Sequence, residues 1–277
     1  MVSVVKKLVP PVIRRRIKEY RTNRRKARLF GALAPLVPSV EEMFDGPQTL
    51  EEFKANGEEF LGIYKDIGHL QPNERMLDVG CGIGRKTLPL TQYLTARAVY
   101  QGIDITKAGI DWCRARITPR FPNFHFLQVD VYNKYYNPDG RYRASEYRFP
   151  FADATFDFVM LGSVFTHMLP DDLENYLSEV YRVLATKGRC LITYFLLNEE
   201  SDRLMAAGRS TLHLEHVFDG YRTASIEEPE LAIAFHEKWI RGLYGKLGLR
   251  IQRVDLGSWC GRADYLSYQD LILATKD

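Results

Sequence analysis

Ten residues limit what this chain can fold into. Met76-Leu-Asp-Val-Gly-Cys-Gly-Ile-Gly-Arg85 runs from an apolar stretch into glycines at alternate positions, 80, 82 and 84. A short apolar stretch that closes on turn residues reads as a buried strand. Glycines spaced this way permit a sharp turn and a close backbone approach that a Cβ would block, so the strand passes directly into a helix with its amides open at the turn. From Arg75 onward the pattern repeats strand, loop and helix, which is the signature of an α/β fold.

Two kinds of ligand use such a turn. A dinucleotide site needs G-x-G-x-x-G, and here Arg85 stands where its third glycine belongs. Asp78, two positions before the first glycine, brings a carboxylate that favours a cationic ligand and disfavours a pyrophosphate. In these residues the sequence resembles the class I S-adenosylmethionine (SAM) methyltransferases, whose first motif reads hydrophobic-Asp-hydrophobic-Gly-x-Gly-x-Gly, and within them the small-molecule branch. The resemblance spans about residues 60–277. It implies a doubly wound seven-stranded sheet, mostly parallel with an antiparallel last strand, helices on both faces and an N-terminal helical extension. It also implies SAM as cofactor and S-adenosylhomocysteine as product, with Asp78, Gly80, Cys81, Gly82 and Gly84 at the cofactor.

The second strand, Val99–Ile105, ends at Asp104, about 20 residues after the glycines, where nucleotide-binding α/β folds place the acid that holds ribose hydroxyls. Its two oxygens suit a vicinal diol, and Ile105 follows beside it. After the third strand, Phe124–Val129, the resemblance implies that Asp130 receives the adenine amino group and that the Val131 backbone meets the ring. Phe156–Leu161 is the fourth strand, with Leu161 at its cofactor end. Ligands collect outside the carboxyl ends of such strands, so Gly162–His167 is expected to face the transferred methyl group. By resemblance, Leu161-Gly-Ser-Val164 lacks the (Asp/Asn)-Pro-Pro-aromatic sequence of amino methyltransferases, no cysteine is placed as a nucleophile, and no acid precedes Asp171 to hold a metal. What remains is the metal-independent branch acting on small metabolites. His167 is the candidate base for a hydroxyl, although relatives also carry a packing or substrate-orienting histidine in this turn.

Two capping patterns, Ser39-x-x-Glu42 and Thr49-x-x-Glu52, each predict a helix, and Leu50, Phe53, Phe60, Leu61, Tyr64 and Ile67 recur at helical spacing. By resemblance, Phe60 and Tyr64 lie near the pocket, while as apolar residues on a helix face they read by default as core. Residues 132–149 form a long connection with five tyrosines, expected to be a substrate-facing lid that includes Tyr135, Tyr136 and Arg143. Ser163 and Tyr194 are further substrate candidates. Residues 198–229 read as a second, irregular insertion, where His213 and His216 lack a third ligand, so no metal site is expected. Ala232–Leu247 reads as the last helix, with Leu249–Leu256 and Tyr268–Ala274 as the sixth and seventh strands. In the family these last two strands are antiparallel, which implies that their connection faces the cofactor side and offers Trp259 and Arg262 to the substrate.

The chain has 277 residues, 45% of them hydrophobic, enough for a substantial core. Its net charge of +3 conceals an asymmetry: residues 1–28 hold eleven Lys or Arg against Glu19 alone, or +10, so residues 29–277 carry 3 − 10 = −7. An acidic body argues against a duplex-binding catalytic face, and nucleic acid is not the expected partner. The expected organisation is a basic extension, 1–38, before a methyltransferase domain, 39–277. The arm at residues 1–28 is a candidate for peripheral membrane or protein contact. Four cysteines far apart in sequence suggest neither zinc nor disulfides and fit the cytoplasm, and no apolar run reaches the ~20 residues of a membrane span. The function expected is metal-independent O-methylation of a small polar acceptor, a hydroxyl of a sugar, glycolipid or secondary metabolite. The alternatives are an RNA methyltransferase using the basic arm, or a SAM-binding regulatory or scaffold protein without turnover.

Overall fold

The computed structural model describes residues 10–44 and 46–277, so the first nine residues of the basic arm lie outside it. Helix α1 spans Pro11–Phe30. Pro11 opens this helix, since proline is tolerated in a first turn whose N–H groups have no intrahelical partner. Ser39 and Glu42 do form a capping box, but on a single 3-10 turn, Val40–Glu42. Helix α2, Leu50–Gly62, is capped by Thr49, whose Oγ1 accepts from Glu52 N at 3.1 Å. Its apolar face buries Leu50, Phe53 and Phe60, and a π turn at Ile63–Ile67 buries Tyr64.

Strand β1 (Arg75–Val79) leads into α3 (Thr87–Leu90), held to four residues around Pro89. Then follow β2 (Val99–Asp104), α4 (Lys107–Arg116), β3 (Phe124–Gln128), β4 (Phe156–Leu161), α5 (Pro170–Val183) and β5 (Leu184–Tyr194). Beyond β5 come β6 (Leu196–Leu197), α6 (Glu199–Ala206), β7 (His216–Phe218), β8 (Tyr221–Thr223) and β9 (Ile233–His236). The chain closes with α7 (Glu237–Leu247), β10 (Leu249–Asp255) and β11 (Asp270–Lys276).

Seven strands form one sheet in the order β10-β11-β5-β4-β1-β2-β3. β1 pairs in parallel with both β2 and β4, while β11 runs antiparallel to both β5 and β10. This is the doubly wound sheet with an antiparallel last strand that the sequence implied. Strand alternation sends Val79, Val159 and Leu161 to one face and Met76, Phe158 and Met160 to the other, each into its own apolar cluster. Burial on both faces explains why the central strands read as continuous apolar runs.

The region after β5 differs from the sequence reading. The stretch taken as irregular carries a helix and a hairpin, and β6, β9, β8 and β7 form a second, four-stranded sheet. The helix expected over Ala232–Leu247 is β9 followed by α7. Ile233-Ala-Phe is buried throughout, and periodicity cannot separate a short buried strand from the start of a buried helix.

Asp270 ties the second sheet to the first. Its carboxylate accepts from Leu196 N, Gly257 N and Trp259 Nε1, each at 2.6 Å, and from Arg262 Nη1 at 3.1 Å. Burial pushes this carboxyl up to about 6 against those donors. Replacing it by alanine leaves three N–H donors unmatched and takes one partner from the buried Arg262, which keeps Glu200 and Gly257 O, so Asp270→Ala is expected to cost about 3–5 kcal/mol. Urea unfolding of the two proteins measures this, and a loss below about 1 kcal/mol would show that the cluster does not carry the junction.

Candidate active site

Beyond β1 the backbone turns through Gly80, Gly82 and Gly84 with φ of 78°, 56° and 81°. A Cβ on Gly80 would lie 2.5 Å from Val164 Cγ2, so both conformation and space demand glycine there. Gly80 N and Cys81 N donate to Ile103 O at 2.8 and 3.2 Å. Gly82 N donates to Asp104 Oδ2 and Thr106 N to Asp104 Oδ1, both at 2.7 Å. These bonds stitch the loop to the end of β2 and fix the carboxylate in place. Because each carboxylate oxygen has two lone pairs, a carboxylate held this way can still accept from a diol.

A cavity of about 870 Å³ opens at the carboxyl ends of β1, β2 and β4. Such a volume lies toward the upper end for small-ligand sites and leaves room for two partners side by side. Gly80, Cys81, Gly82, Asp104, Ile105 and Val131 line it, as expected of a cofactor wall. Burial pushes the Cys81 thiol well up, which keeps it protonated and unreactive. Three other expected contacts, Gly84, Asp130 and Leu161, are not among the lining residues. Gly84 instead packs toward Cys113 and Ile117. Asp130 is turned to Arg141, which donates through Nε at 2.5 Å and holds its carboxyl below the usual range. Asp78 is likewise no lining residue. It is buried beneath the loop and accepts from Tyr100 OH at 2.6 Å, while burial raises its carboxyl and Tyr100 and Lys86 pull the other way.

Lys86 was missed by the sequence reading. It is 6% exposed, lines the cavity beside the glycine loop, and sets its ammonium over the Phe60 ring at 4.3 Å from the centroid. A Cβ on Gly162 would collide with its Nζ, so the lysine reaches across to the end of β4. The sequence held one signal: a lysine two residues past the last glycine of the turn, immediately before the short Thr-Leu-Pro-Leu helix.

On the opposite wall, Ser163 is a non-glycine residue at φ 65°, held by Ser163 N donating to Thr193 Oγ1 at 2.7 Å and its Oγ donating to Gln269 Oε1 at 2.9 Å. His167 follows in a short turn, Phe165–His167, and lines the cavity. Its Nδ1 lies 2.8 Å from the backbone oxygen of Glu230. A carbonyl only accepts, so Nδ1 carries the proton and Nε2 keeps the lone pair of the neutral ring. Burial holds this imidazole below the ordinary histidine value, and the Glu230 and Leu231 carbonyls only partly offset it. Asp172 and Glu230, which also line the cavity, are both raised by burial.

Of the expected substrate residues, Tyr136, Arg143 and Ser163 reach the cavity and five do not. Tyr64 is buried in the core beside Phe60 and Phe158. Tyr194 shares a hydrogen bond with Tyr244 at 2.8 Å inside the core. Trp259 and Arg262 belong to the Asp270 cluster, because the connection before β11 folds into the second sheet's apolar cluster. Tyr135 bonds to Glu228, and burial adds to that bond in pushing its phenol up to about 12. Among the described residues, no group of three His, Cys, Asp or Glu converges to hold a metal ion.

The strand order, the left-handed glycine loop and the acid at the end of β2 define the class I methyltransferase fold. Residues 77–192 match the family model of a methyltransferase domain, and this stretch is a SAM-dependent methyltransferase domain, for which SAM is the methyl donor. It resembles the PH0226 protein of Pyrococcus horikoshii in fold, with a TM-score of 0.57 at 17% identity, covering 82% of this chain and 92% of that one. Magnesium protoporphyrin IX methyltransferase of Synechocystis, a structure with bound S-adenosylhomocysteine, gives 0.53 at 16% identity over 86% of this chain and 92% of that one. Among curated sequences, phthiotriol/phenolphthiotriol dimycocerosates methyltransferase 1 of Mycobacterium ulcerans is 31% identical over 52% of this chain and 47% of its own. Sterol 24-C-methyltransferase of Schizosaccharomyces pombe is 26% identical over 54% of this chain and 35% of its own. The chain thus spans half or less of these two relatives' lengths.

The residues at the glycine wall fit the cofactor. Asp104 would hold the ribose, and Lys86, which lines the same wall, would supply a cation for the one anionic group of SAM, its carboxylate. Asp104→Ala is therefore expected to weaken both S-adenosylhomocysteine and 5′-methylthioadenosine, which lacks the amino acid, by roughly tenfold or more. Lys86→Met is expected to weaken only the former. Calorimetry with the two ligands separates these outcomes, and equal losses on both for Lys86→Met would remove the lysine from the carboxylate.

Proposed function

We propose that this protein transfers a methyl group, without a metal ion, to a hydroxyl oxygen of a small polar acceptor such as a sugar, glycolipid or secondary metabolite. The observation that carries the reading is His167, buried enough to be neutral near pH 7 and held by Glu230 O in the tautomer that leaves Nε2 as a base. Bound SAM supplies an electrophilic methyl carbon and leaves as S-adenosylhomocysteine. His167 Nε2 takes the hydroxyl proton as the acceptor oxygen attacks, and the apolar turn before it keeps water from competing.

The acceptor side of the cavity is rich in groups that bond hydroxyls: Tyr132, Asn133, Tyr136, Arg143 and Gln269. Several belong to residues 132–149, which together with 198–229 we read as lids. Lys134 meets Glu228 at 3.0 Å, so the two segments touch above the site. Two of the matched relatives are named for dimycocerosates and for a sterol, the latter as a 24-C-methyltransferase. Four buried free thiols support a cytoplasmic setting, and no helix among the described residues is long and apolar enough to cross a membrane.

Mass spectrometry after incubation with isotopically labelled SAM and with glycan, lipid or metabolite extracts tests the acceptor. Label appearing in a hydroxylated small molecule is expected, and label confined to RNA or protein would overturn the reading. For the base, His167→Gln is expected to lower kcat by about a hundredfold or more with little change in S-adenosylhomocysteine affinity. The wild-type rate should rise with pH through a midpoint below the ordinary histidine value of ~6.5, because the lowered imidazole must lose its proton to act. A variant that retains this acidic limb would show that His167 only orients the acceptor.

A further inference from the structure

We infer that the outward face of α1 is a docking surface for anionic lipid bilayers. Ile13, Ile17 and Tyr20 follow one another at helical spacing and are 47%, 42% and 66% exposed. Arg16, Arg21 and Arg24 flank or continue that stripe, and all three are exposed. A helix with an apolar stripe bordered by guanidinium groups lies flat at a lipid interface, with its apolar side chains among the acyl chains and its cations at the phosphates.

The stripe faces away from the body. Lys18, Thr22, Arg25 and Leu29 occupy a second row at the same spacing, on the other side of the helix, and that row makes the contacts with the rest of the fold. Lys18 meets Glu41 at 2.6 Å, and Arg25 donates to Glu51 through Nε and Nη2 at 2.9 and 2.5 Å. Lys26, next to this row, is buried and donates to Val37 O at 2.7 Å, and Leu29 and Phe30 pack into the cluster of Leu36, Val37 and Phe53. The helix is thus clamped by one side, which leaves Ile13, Ile17 and Tyr20 exposed and covered by nothing among the described residues.

Charge complementarity selects the occupant. Residues 29–277 sum to −7 while the helical arm is strongly positive, so an anionic surface is drawn to α1 and repelled elsewhere. A polyanion such as RNA would satisfy the arginines but would leave the two isoleucines in water, whereas a bilayer satisfies both. Downstream of α1 the chain runs into Phe44 and Gly46, which line the active-site cavity, so a docked helix brings the cavity rim near the membrane. The inference does not depend on which acceptor is methylated.

The test uses the full chain, without cofactor or acceptor, in flotation with phosphatidylcholine vesicles that contain or lack phosphatidylglycerol. Binding to the anionic vesicles only is expected. Arg16→Gln/Arg21→Gln/Arg24→Gln should weaken it about a hundredfold, and Ile13→Ser/Ile17→Ser/Tyr20→Ser should weaken it at least tenfold, with thermal midpoints unchanged because these side chains are exposed. In Tyr20→Trp, brominated lipids should quench fluorescence beyond the quenching of the parent chain. Three results would each overturn the proposal: no binding to anionic vesicles, full binding by the serine variant, or binding to single-stranded RNA with none to vesicles.

Discussion

A single carboxylate holds the centre of the molecule together. Asp104 accepts from Gly82 N and from Thr106 N, and so fastens a loop of three left-handed glycines to the strand beside it. Glycine loses more conformational freedom on ordering than any other residue, and a loop with this composition would otherwise sample many shapes. Ile103 O, by taking both Gly80 N and Cys81 N, completes the fastening. The same group that orders the loop also lines the cavity, so the shape of the cofactor wall and its chemistry share one cause.

The opposite wall is assembled from segments distant in sequence. His167 lies after β4, its partner Glu230 lies before β9, and the clasp between Lys134 and Glu228 joins the two inserted stretches. What sets the position of this wall is the second sheet, itself fixed by Asp270. The cavity is consequently polarised: Lys86 lies at the glycine side, while Asp172 and Glu230, raised by burial, lie around the histidine. Both carboxyl groups offer oxygens that can accept hydrogen bonds from a molecule in the cavity.

The parallel sheet was legible because its strands are buried on both faces and end in turn chemistry that permits few alternatives. The place of Asp104 was legible for a similar reason, since it follows from local spacing after the glycines. Trp259 and Arg262 were misplaced because the order of strands says on which side a connection emerges, not whether its side chains turn to the cavity or to a second layer. Tyr194 looked like a pocket residue by its position along the strand, and the resemblance set Tyr64 near the pocket although its apolar helix face read as core; each ring is buried in the core and fills space there. Glu230 carried no local signal: its carbonyl matters only through a contact 63 residues distant. Lys86 could have been noticed, as a lysine adjoining a buried turn has few places to put its charge.

The bond that sets the histidine's tautomer comes from the main chain of Glu230, not from its side chain. Any amino acid can occupy position 230 and still present that oxygen, so the side chain there is open to variation while the imidazole keeps its orientation. A residue that lines the cavity can therefore change over evolutionary time, or under directed selection, without releasing the imidazole beside it.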